Sequence, residues 1–176
     1  VLAVIALVSL ALTPDEHRAR NGFAWEPIIE VASLFAGIFI CIVPVMAMLE
    51  AGRAGPFSGV LALTADAAGN PRNGVYFWLT GALSAVFDNA PTYLVFFGLA
   101  GGDGGNLMDG HAATLTAISL GAVYMGALTY VGNAPNFMVY AIATERGVKM
   151  PSFLRYTTFT GVVLLPVFAM VTYVFL

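Results

Sequence analysis

The sequence predicts an all-α polytopic membrane protein, and its composition is the first reason. The 176 residues are 59% hydrophobic and only 10% charged, with a mean hydropathy of +0.85. A soluble domain carries roughly 25% charged residues, so lipid is the natural solvent for this chain. The second reason is a series of apolar runs separated by polar segments, and the third is a motif that interrupts two of those runs. The few Lys and Arg residues are scattered among loops, which argues against a nucleic-acid partner.

The apolar runs predict spanning elements in a fixed order. They lie at about residues 1–12, 26–49, 74–100, 111–145 and 152–176. Residues 1–12 would rise only about 18 Å as a helix, less than a hydrocarbon core of about 30 Å. We therefore interpret this run as the end of a spanning helix whose start is missing. Residues 13–22 and the Gly-rich stretch 101–110 are interpreted as loops, and residues 53–73 as a short amphipathic surface segment.

One short motif occurs twice inside apolar sequence. Residues 87–96 contain Asn-Ala-Pro followed by Thr-Tyr-Leu-Val-Phe, and residues 131–140 contain Asn-Ala-Pro followed by Asn-Phe-Met-Val-Tyr. Proline removes a backbone donor and displaces the preceding residue from helical geometry. The break leaves free carbonyl and amide groups, which in lipid cost several kcal/mol each unless they are satisfied. The sequence therefore predicts two discontinuous elements whose freed groups help to bind an ion or substrate.

Asp88 stands next to the first of these motifs. An ionisable side chain inside a membrane segment is by default a functional candidate. Desolvation favours the protonated carboxyl group, and a nearby cation favours the carboxylate, so Asp88 is predicted to exchange a proton for a cation. The alternative is that Asp88 is a turn residue that caps the following segment at a wet surface.

Residues 74–100 could cross the membrane or form a re-entrant hairpin. The distribution of Lys and Arg does not choose between the two topologies. Length favours the hairpin, because the run from Tyr93 to Ala100 is short for a half-crossing that ends at Gly101 and Gly102. In the hairpin topology, Asp88 to Thr92 form the tip, and residues 13–22 and 146–155 share the cytoplasmic side.

The two motif regions, Ser84 to Thr92 and Tyr130 to Asn136, resemble the paired Asn-containing signatures of the ion transporter superfamily. That superfamily includes sodium:proton antiporters, citrate and dicarboxylate carriers, and arsenite permeases. The nearest branch is named either for sodium:proton antiport or for citrate transport, and the resemblance extends from about Trp25 to Leu176. It implies two inverted repeats, each with a re-entrant hairpin and a discontinuous transmembrane helix. This chain would be the C-terminal repeat, and an N-terminal repeat would be its missing partner.

The resemblance also implies which residues bind the ion or substrate. They are Ser84, Asp88, Asn89, Pro91 and Thr92 from the hairpin, and Gly132, Asn133, Pro135 and Asn136 from the broken helix, with Asn89 and Asn133 as sodium ligands. The dicarboxylate carriers use a Ser-Asn-Thr triplet where this sequence has Asp-Asn-Ala and Gly-Asn-Ala. That departure argues against a carboxylate substrate and in favour of cation or proton exchange.

These observations predict a secondary active transporter rather than an enzyme. Sodium:proton antiport is the first hypothesis, and a cation-coupled citrate or dicarboxylate carrier is the alternative. Sodium is expected as the transported or coupling ion, without another cofactor, in a multi-pass protein of the bacterial inner membrane that contacts lipid and is compatible with a homodimer. A membrane scaffold would not explain the doubled motif. An intramembrane aspartyl protease would have to pair Asp88 with Asp103, which lies in a predicted loop.

Overall fold

The computed structural model describes residues 1–22 and 25–176, and the chain divides into two compact units, residues 1–40 and residues 41–176. Within the described residues, all regular secondary structure is helical, apart from one isolated bridge between Ala65 and Pro71. The all-α prediction is therefore confirmed for this part of the chain.

The first unit contains two helices and the start of a third. These are α1 (Leu2–Leu12), α2 (Asp15–Arg20) and the beginning of α3 (Glu26–Glu50). The sequence predicted only a loop where α2 forms, so that prediction was wrong. Two acidic residues in the first turn of α2 and three basic or imidazole residues in its last turn match the helix dipole, and this local charge pattern explains the short helix.

The second unit contains the helices that form the site. After α3 come a 3₁₀ turn at Gly52–Ala54, α4 (Ser58–Thr64), α5 (Asn73–Ser84), α6 (Asn89–Leu99), α7 (Gly104–Asp109), α8 (Ala112–Tyr124), a 3₁₀ turn at Met125–Leu128, α9 (Ala134–Glu145) and α10 (Phe153–Phe175). The Gly-rich stretch predicted to be a loop contains α7. The carboxylate of Asp103 caps this helix by accepting hydrogen bonds from the N–H groups of Gly105 (2.9 Å) and Asn106 (3.3 Å).

One helix among the described residues, α10, is long and apolar enough to cross a membrane by length and composition. Only 11% of its apolar window is buried inside the fold. A core helix of a soluble protein would be mostly buried, so the exposed apolar side chains of α10 fit a lipid environment. Shorter apolar helices lie at Leu2–Leu12, Phe39–Leu49 and Ala112–Leu128.

The contact between α5 and α8 is the most extensive helix contact among the described residues. Glycine residues allow the two helices to approach each other closely. A Cβ atom added to Gly121 would lie 2.5 Å from the carbonyl oxygen of Phe77, and one added to Gly81 would collide with the side chain of Met125. Small residues allow this close approach of helices in membrane proteins. The contact brings the last turn of α5 against the end of α8.

The start of α5 and the end of α6 lie at the same end of this unit. Asn70 and Tyr76, near the start of α5, line one cavity of about 540 Å³ together with Leu99 and Asn106, near the end of α6. Thr114, in the first turn of α8, donates a hydrogen bond of 2.8 Å to the Asn73 side chain at the same end. The segment that joins α5 to α6 therefore lies at the opposite end, and α5 and α6 form a helical hairpin.

The turn that precedes α5 is organised by Asp66. Its carboxylate accepts hydrogen bonds from the backbone N–H and the side-chain amide of Asn70, at 2.8 and 3.2 Å, and from the N–H of Ala68 at 2.9 Å. The bonds from Asn70, followed by those from the neighbouring backbone, lower the pKa of the Asp66 carboxyl group below its ordinary value. Asp66 is therefore engaged within its own turn.

Candidate functional site

Each Asn-Ala-Pro motif begins a helix. Helix α6 begins at Asn89 and α9 begins at Ala134, and a non-helical segment precedes each of them. Pro91 and Pro135 lie in the first turns of these helices, where a missing N–H group has little cost. The predicted helix breaks are confirmed, and the prolines stand just after the breaks rather than within them.

The two motifs meet at the side chain of Asn89. One atom of its amide group lies 3.1 Å from the hydroxyl oxygen of Ser84, 3.1 Å from the carbonyl oxygen of Ala122 and 3.3 Å from the carbonyl oxygen of Gly132. Carbonyl oxygens only accept hydrogen bonds, so the amide atom that faces them is the nitrogen. These contacts bring the two motif regions together.

Ser84 and Thr129 connect the two breaks through backbone carbonyl groups. The Ser84 hydroxyl, on the last turn of α5, donates to the carbonyl of Ala122 at 2.5 Å. The Thr129 hydroxyl donates to the carbonyl of Ala85 at 2.6 Å and accepts from the N–H of Gly132 at 2.9 Å. Each break therefore supplies a hydroxyl group that satisfies a carbonyl of the other.

Two further side chains satisfy the carbonyl groups that the second break leaves free. The Asn136 amide donates to the carbonyl of Gly126 at 3.3 Å, and the Thr160 hydroxyl on α10 donates to the carbonyl of Leu128 at 2.6 Å. The sequence interpretation assigned such carbonyls to a bound ion. In the structure, neutral side chains satisfy several of them. Thr129, Gly126 and Thr160 belong to the site and were not predicted.

Backbone oxygens converge at Gly132. A Cβ atom added there would lie 2.7 Å from the carbonyl oxygen of Ser84, 2.9 Å from that of Ala85 and 2.9 Å from that of Gly126. At Gly126, an added Cβ atom would lie 2.6 Å from the Asn89 amide and 3.1 Å from the carbonyl oxygen of Gly132. These two glycines keep a small, oxygen-rich region free of side-chain carbon.

Thr92 has a buried hydroxyl group without a partner. Its side chain is 1% exposed, and its oxygen makes no hydrogen bond within the described part of the chain. Buried polar atoms are nearly always paired. The Thr92 hydroxyl, near the start of α6, is therefore an unsatisfied buried group, like the hydroxyls of Thr80 and Thr157.

Asp88 and Asn133 occupy equivalent places, one residue before each helix. The half-buried Asp88 caps α6, and its carboxylate accepts a hydrogen bond of 2.6 Å from the N–H of Asn89. The half-buried Asn133 precedes α9 without a capping hydrogen bond from its side chain, and Pro135 is exposed. Asp103 follows the far end of α6, whose 11 residues extend about 16 Å. That separation excludes the aspartyl protease hypothesis.

The atoms of the site that could act as metal ligands are carbonyl and hydroxyl oxygens, and the Asn89 amide nitrogen donates hydrogen bonds to them. Within residues 1–22 and 25–176, no three His, Cys, Asp or Glu side chains are grouped to hold a metal ion. Carbonyl and hydroxyl oxygens at unwound helices are the ligands that transporters use for sodium and protons. Oxygens are hard ligands, which differ from the thiolate and imidazole groups that bind soft transition metals.

An apolar helical chain with an exposed helix long enough to span a membrane and two helix breaks that meet is typical of one class, the membrane transport proteins. A family model described as "Putative citrate transport" matches residues 1–176, and the chain belongs to this family. The predicted resemblance to the citrate transport branch is thereby confirmed at the level of the family. Comparisons with curated proteins and with solved structures give no significant match.

Proposed function

We propose that this protein is a multi-pass secondary transporter that couples sodium to the movement of citrate or a related carboxylate across the bacterial inner membrane. The observation that carries the proposal is the convergence of backbone oxygens where the two helix breaks meet at Gly132. The family to which the chain belongs supplies the substrate class.

The cation would bind among the oxygens of Ser84, Ala85, Gly126 and Gly132. In the structure, the Asn89 amide nitrogen faces this region and donates to its oxygens. A half-turn of the amide group would present the Asn89 oxygen instead, so a hydrogen-bond donor would be replaced by a cation ligand. Asn133 and Asn136, at the start of α9, would complete the site from the second break.

The carboxylate would bind next to the cation, at the starts of α6 and α9. Both helices begin at the meeting point of the breaks, and helix N-termini attract anions. The free hydroxyl group of Thr92 would donate to the substrate. The charge of Asp88 would oppose an anion, and a bound sodium ion would remove that repulsion. Cation binding would therefore precede carboxylate binding.

The α5–α6 hairpin would be re-entrant in the membrane. The 12 residues of α5 extend about 18 Å, well short of a hydrocarbon core of about 30 Å. The shared cavity at the start of α5 and the end of α6 supports this topology, because a crossing element would have its two ends on opposite sides. A second repeat of the same protein would supply the other half of the site.

The test is uptake of labelled citrate into vesicles that contain the full-length protein. An inward sodium gradient should drive uptake, and Ser84→Ala and Asn89→Ala should raise the half-saturating sodium concentration on the order of tenfold, which corresponds to losing about one good contact. Ser119→Ala is the matched control, because this hydroxyl bonds only to the Leu115 carbonyl of its own helix. Absence of citrate uptake would reject the substrate, and equal effects of all three variants would reject the cation site.

Sodium:proton antiport is the second candidate, and the carboxylate of Asp88 beside Asn89 is the observation that favours it. The same vesicles separate the two candidates through Asp88→Asn, which keeps the shape and removes the charge. An antiporter would move protons against sodium without citrate and would lose this activity in the variant. In a carboxylate carrier, citrate uptake would survive the substitution. Unchanged proton exchange in the variant would mean that Asp88 acts only as a helix cap and has no role in transport.

A further inference from the structure

A surface groove lies between the start of α5 and the end of α10. It has a volume of about 590 Å³, and its walls include Arg72, Trp78, Leu79 and Thr172. The two helices are in contact beside it, because a Cβ atom added to Gly74 would lie 3.4 Å from the Thr172 methyl group. The groove is therefore bounded by packed helices, with a cation at one end.

The cation is the guanidinium group of Arg72. Arg72 is exposed, and the one hydrogen bond described for its guanidinium group is a long one, 3.5 Å, to the carbonyl of Leu63. Within the described residues, Arg72 forms no salt bridge. Asp66, the carboxylate in the adjoining turn, is occupied by the N–H groups of Ala68 and Asn70. The charge of Arg72 is thus free to pair with an external anion.

The start of α5 adds to this positive charge. Arg72 occupies the position just before the helix, and no side chain caps the first N–H groups. Uncapped N–H groups at a helix start carry partial positive charge and bind phosphate well. An arginine fork beside them can hold two phosphate oxygens at once.

The groove changes character along α5. Trp78 is half-buried, about a turn and a half beyond Arg72, and the neighbouring wall is formed by Leu79. Indole rings prefer the level of lipid headgroups. Along the groove, a cation is followed by an indole ring and then by an apolar wall. These three features match, in the same order, the phosphate, the glycerol region and the acyl chain of a phospholipid.

We propose that this groove binds an anionic phospholipid, with the phosphate on Arg72 and the start of α5, and with one acyl chain along Trp78 and α10. Basic pockets between membrane helices are known binding places for anionic headgroups. The proposal requires the protein to lie in a membrane and does not depend on which substrate it carries.

Replacing Trp25 and every tryptophan outside residues 1–176 with phenylalanine leaves Trp78 as the only indole fluorophore. The full-length protein with these substitutions is placed in bilayers that contain acyl-brominated phosphatidylglycerol or acyl-brominated phosphatidylcholine, because bromine quenches a nearby indole. One arginine near anionic lipid should give about a fivefold preference for phosphatidylglycerol. Arg72→Gln should remove the preference, and Arg72→Lys should keep most of it.

Arg155→Gln is the matched control, because Arg155 is an exposed cation at the other end of α10, beside the Phe159 ring. It should leave the preference unchanged. Equal quenching by the two lipids in the protein with Arg72 intact would overturn the proposal. So would a preference that survives Arg72→Gln, or absence of quenching by either lipid, which would mean that another segment or a second copy covers the groove.

Discussion

At the scale of single residues, hydroxyl and amide groups form hydrogen bonds with the backbone groups that the helix breaks leave free. Ser84, Thr129 and Thr160 each donate to a backbone carbonyl that a helix break would otherwise leave unpaired. The buried polar side chains of the described residues are all Ser or Thr. Neutral donors suit this role, because a buried charge has a desolvation penalty of several kcal/mol.

Thr129 should contribute strongly to stability. Thr129→Val keeps the shape but leaves the Ala85 carbonyl and the Gly132 N–H unpaired. We expect a loss of about 1–3 kcal/mol in the free energy of unfolding, while Thr129→Ser should remain near the original value. Denaturant unfolding of the full-length protein in detergent measures both.

The control for this substitution is Thr158→Val. The exposed Thr158 hydroxyl bonds only to the Leu154 carbonyl of its own helix, so its loss should change stability by no more than about 0.5 kcal/mol. If Thr129→Val were as stable as Thr158→Val, the hydroxyl bridge between the two breaks would have no energetic role.

Part of the site could be predicted from the sequence and part could not. Asn89 was predicted because it belongs to a motif whose proline constrains the local backbone, and Gly132 was predicted because the family resemblance implies it. Thr129 and Thr160 were missed because their roles depend on long-range contacts. Thr160 is 32 residues from its partner Leu128, and no local pattern distinguishes it from the other threonines of α10.

At the scale of helices, close packing of α5 on α8 brings Ser84 to the carbonyl of Ala122. The spacing depends on glycines that face backbone atoms or a large side chain of the other helix. A change of helix spacing would displace the hydroxyl and amide donors of the first break from the carbonyls of the second. Packing and site geometry are therefore coupled.

Gly121→Ala should disturb this coupling. Its added Cβ atom would lie 2.5 Å from the Phe77 carbonyl oxygen and 3.2 Å from the Thr80 Cβ atom, and the backbone can yield only by moving one helix. We expect a destabilisation of about 1–3 kcal/mol together with reduced sodium-dependent uptake in vesicles.

Gly161→Ala in α10 is the comparison, since an added Cβ atom would meet only a Leu165 methyl group at 3.8 Å. Alanine is the better helix former, so this variant should be unchanged or up to about 1 kcal/mol more stable. If both alanine variants behaved alike, the spacing of α5 and α8 would not depend on Gly121.

The helices show the same division between what local sequence can and cannot predict. The starts of α6 and α9 follow from Asp88 and from the prolines, which favour a first helical turn. The short helices α2 and α7 were missed because six residues are too few for a hydrophobic period. The formation of each short helix depends instead on the residues at its ends, such as Asp103, whose carboxylate caps α7.

At the scale of the whole molecule, the proposed re-entrant position of the α5–α6 hairpin would determine the membrane topology. The free ends of these two short helices share one cavity, so in the proposed arrangement they would not carry the chain across a bilayer. The interrupted α8–α9 segment would then make the crossing before α10 returns. This order would place the turn before α5 and the α7 segment on one side, and the α9–α10 connection on the other.

Single cysteines test this topology in the full-length protein. Cys41 and any cysteine outside residues 1–176 are replaced by serine, and exposed positions Ala67, Met108 and Lys149 each receive one cysteine in turn. A membrane-impermeant maleimide added to intact cells should either label both positions 67 and 108 or label neither. Position 149 should give the opposite result, and lysed cells are the control for reactivity. Because a crossing of residues 74–100 would separate positions 67 and 108, labelling of these two from opposite sides would reject the re-entrant hairpin. The oxygen-rich region at Gly132 would then belong to a spanning helix pair, and alternating access would require movement of α5 and α6 across the whole bilayer rather than at a hairpin tip.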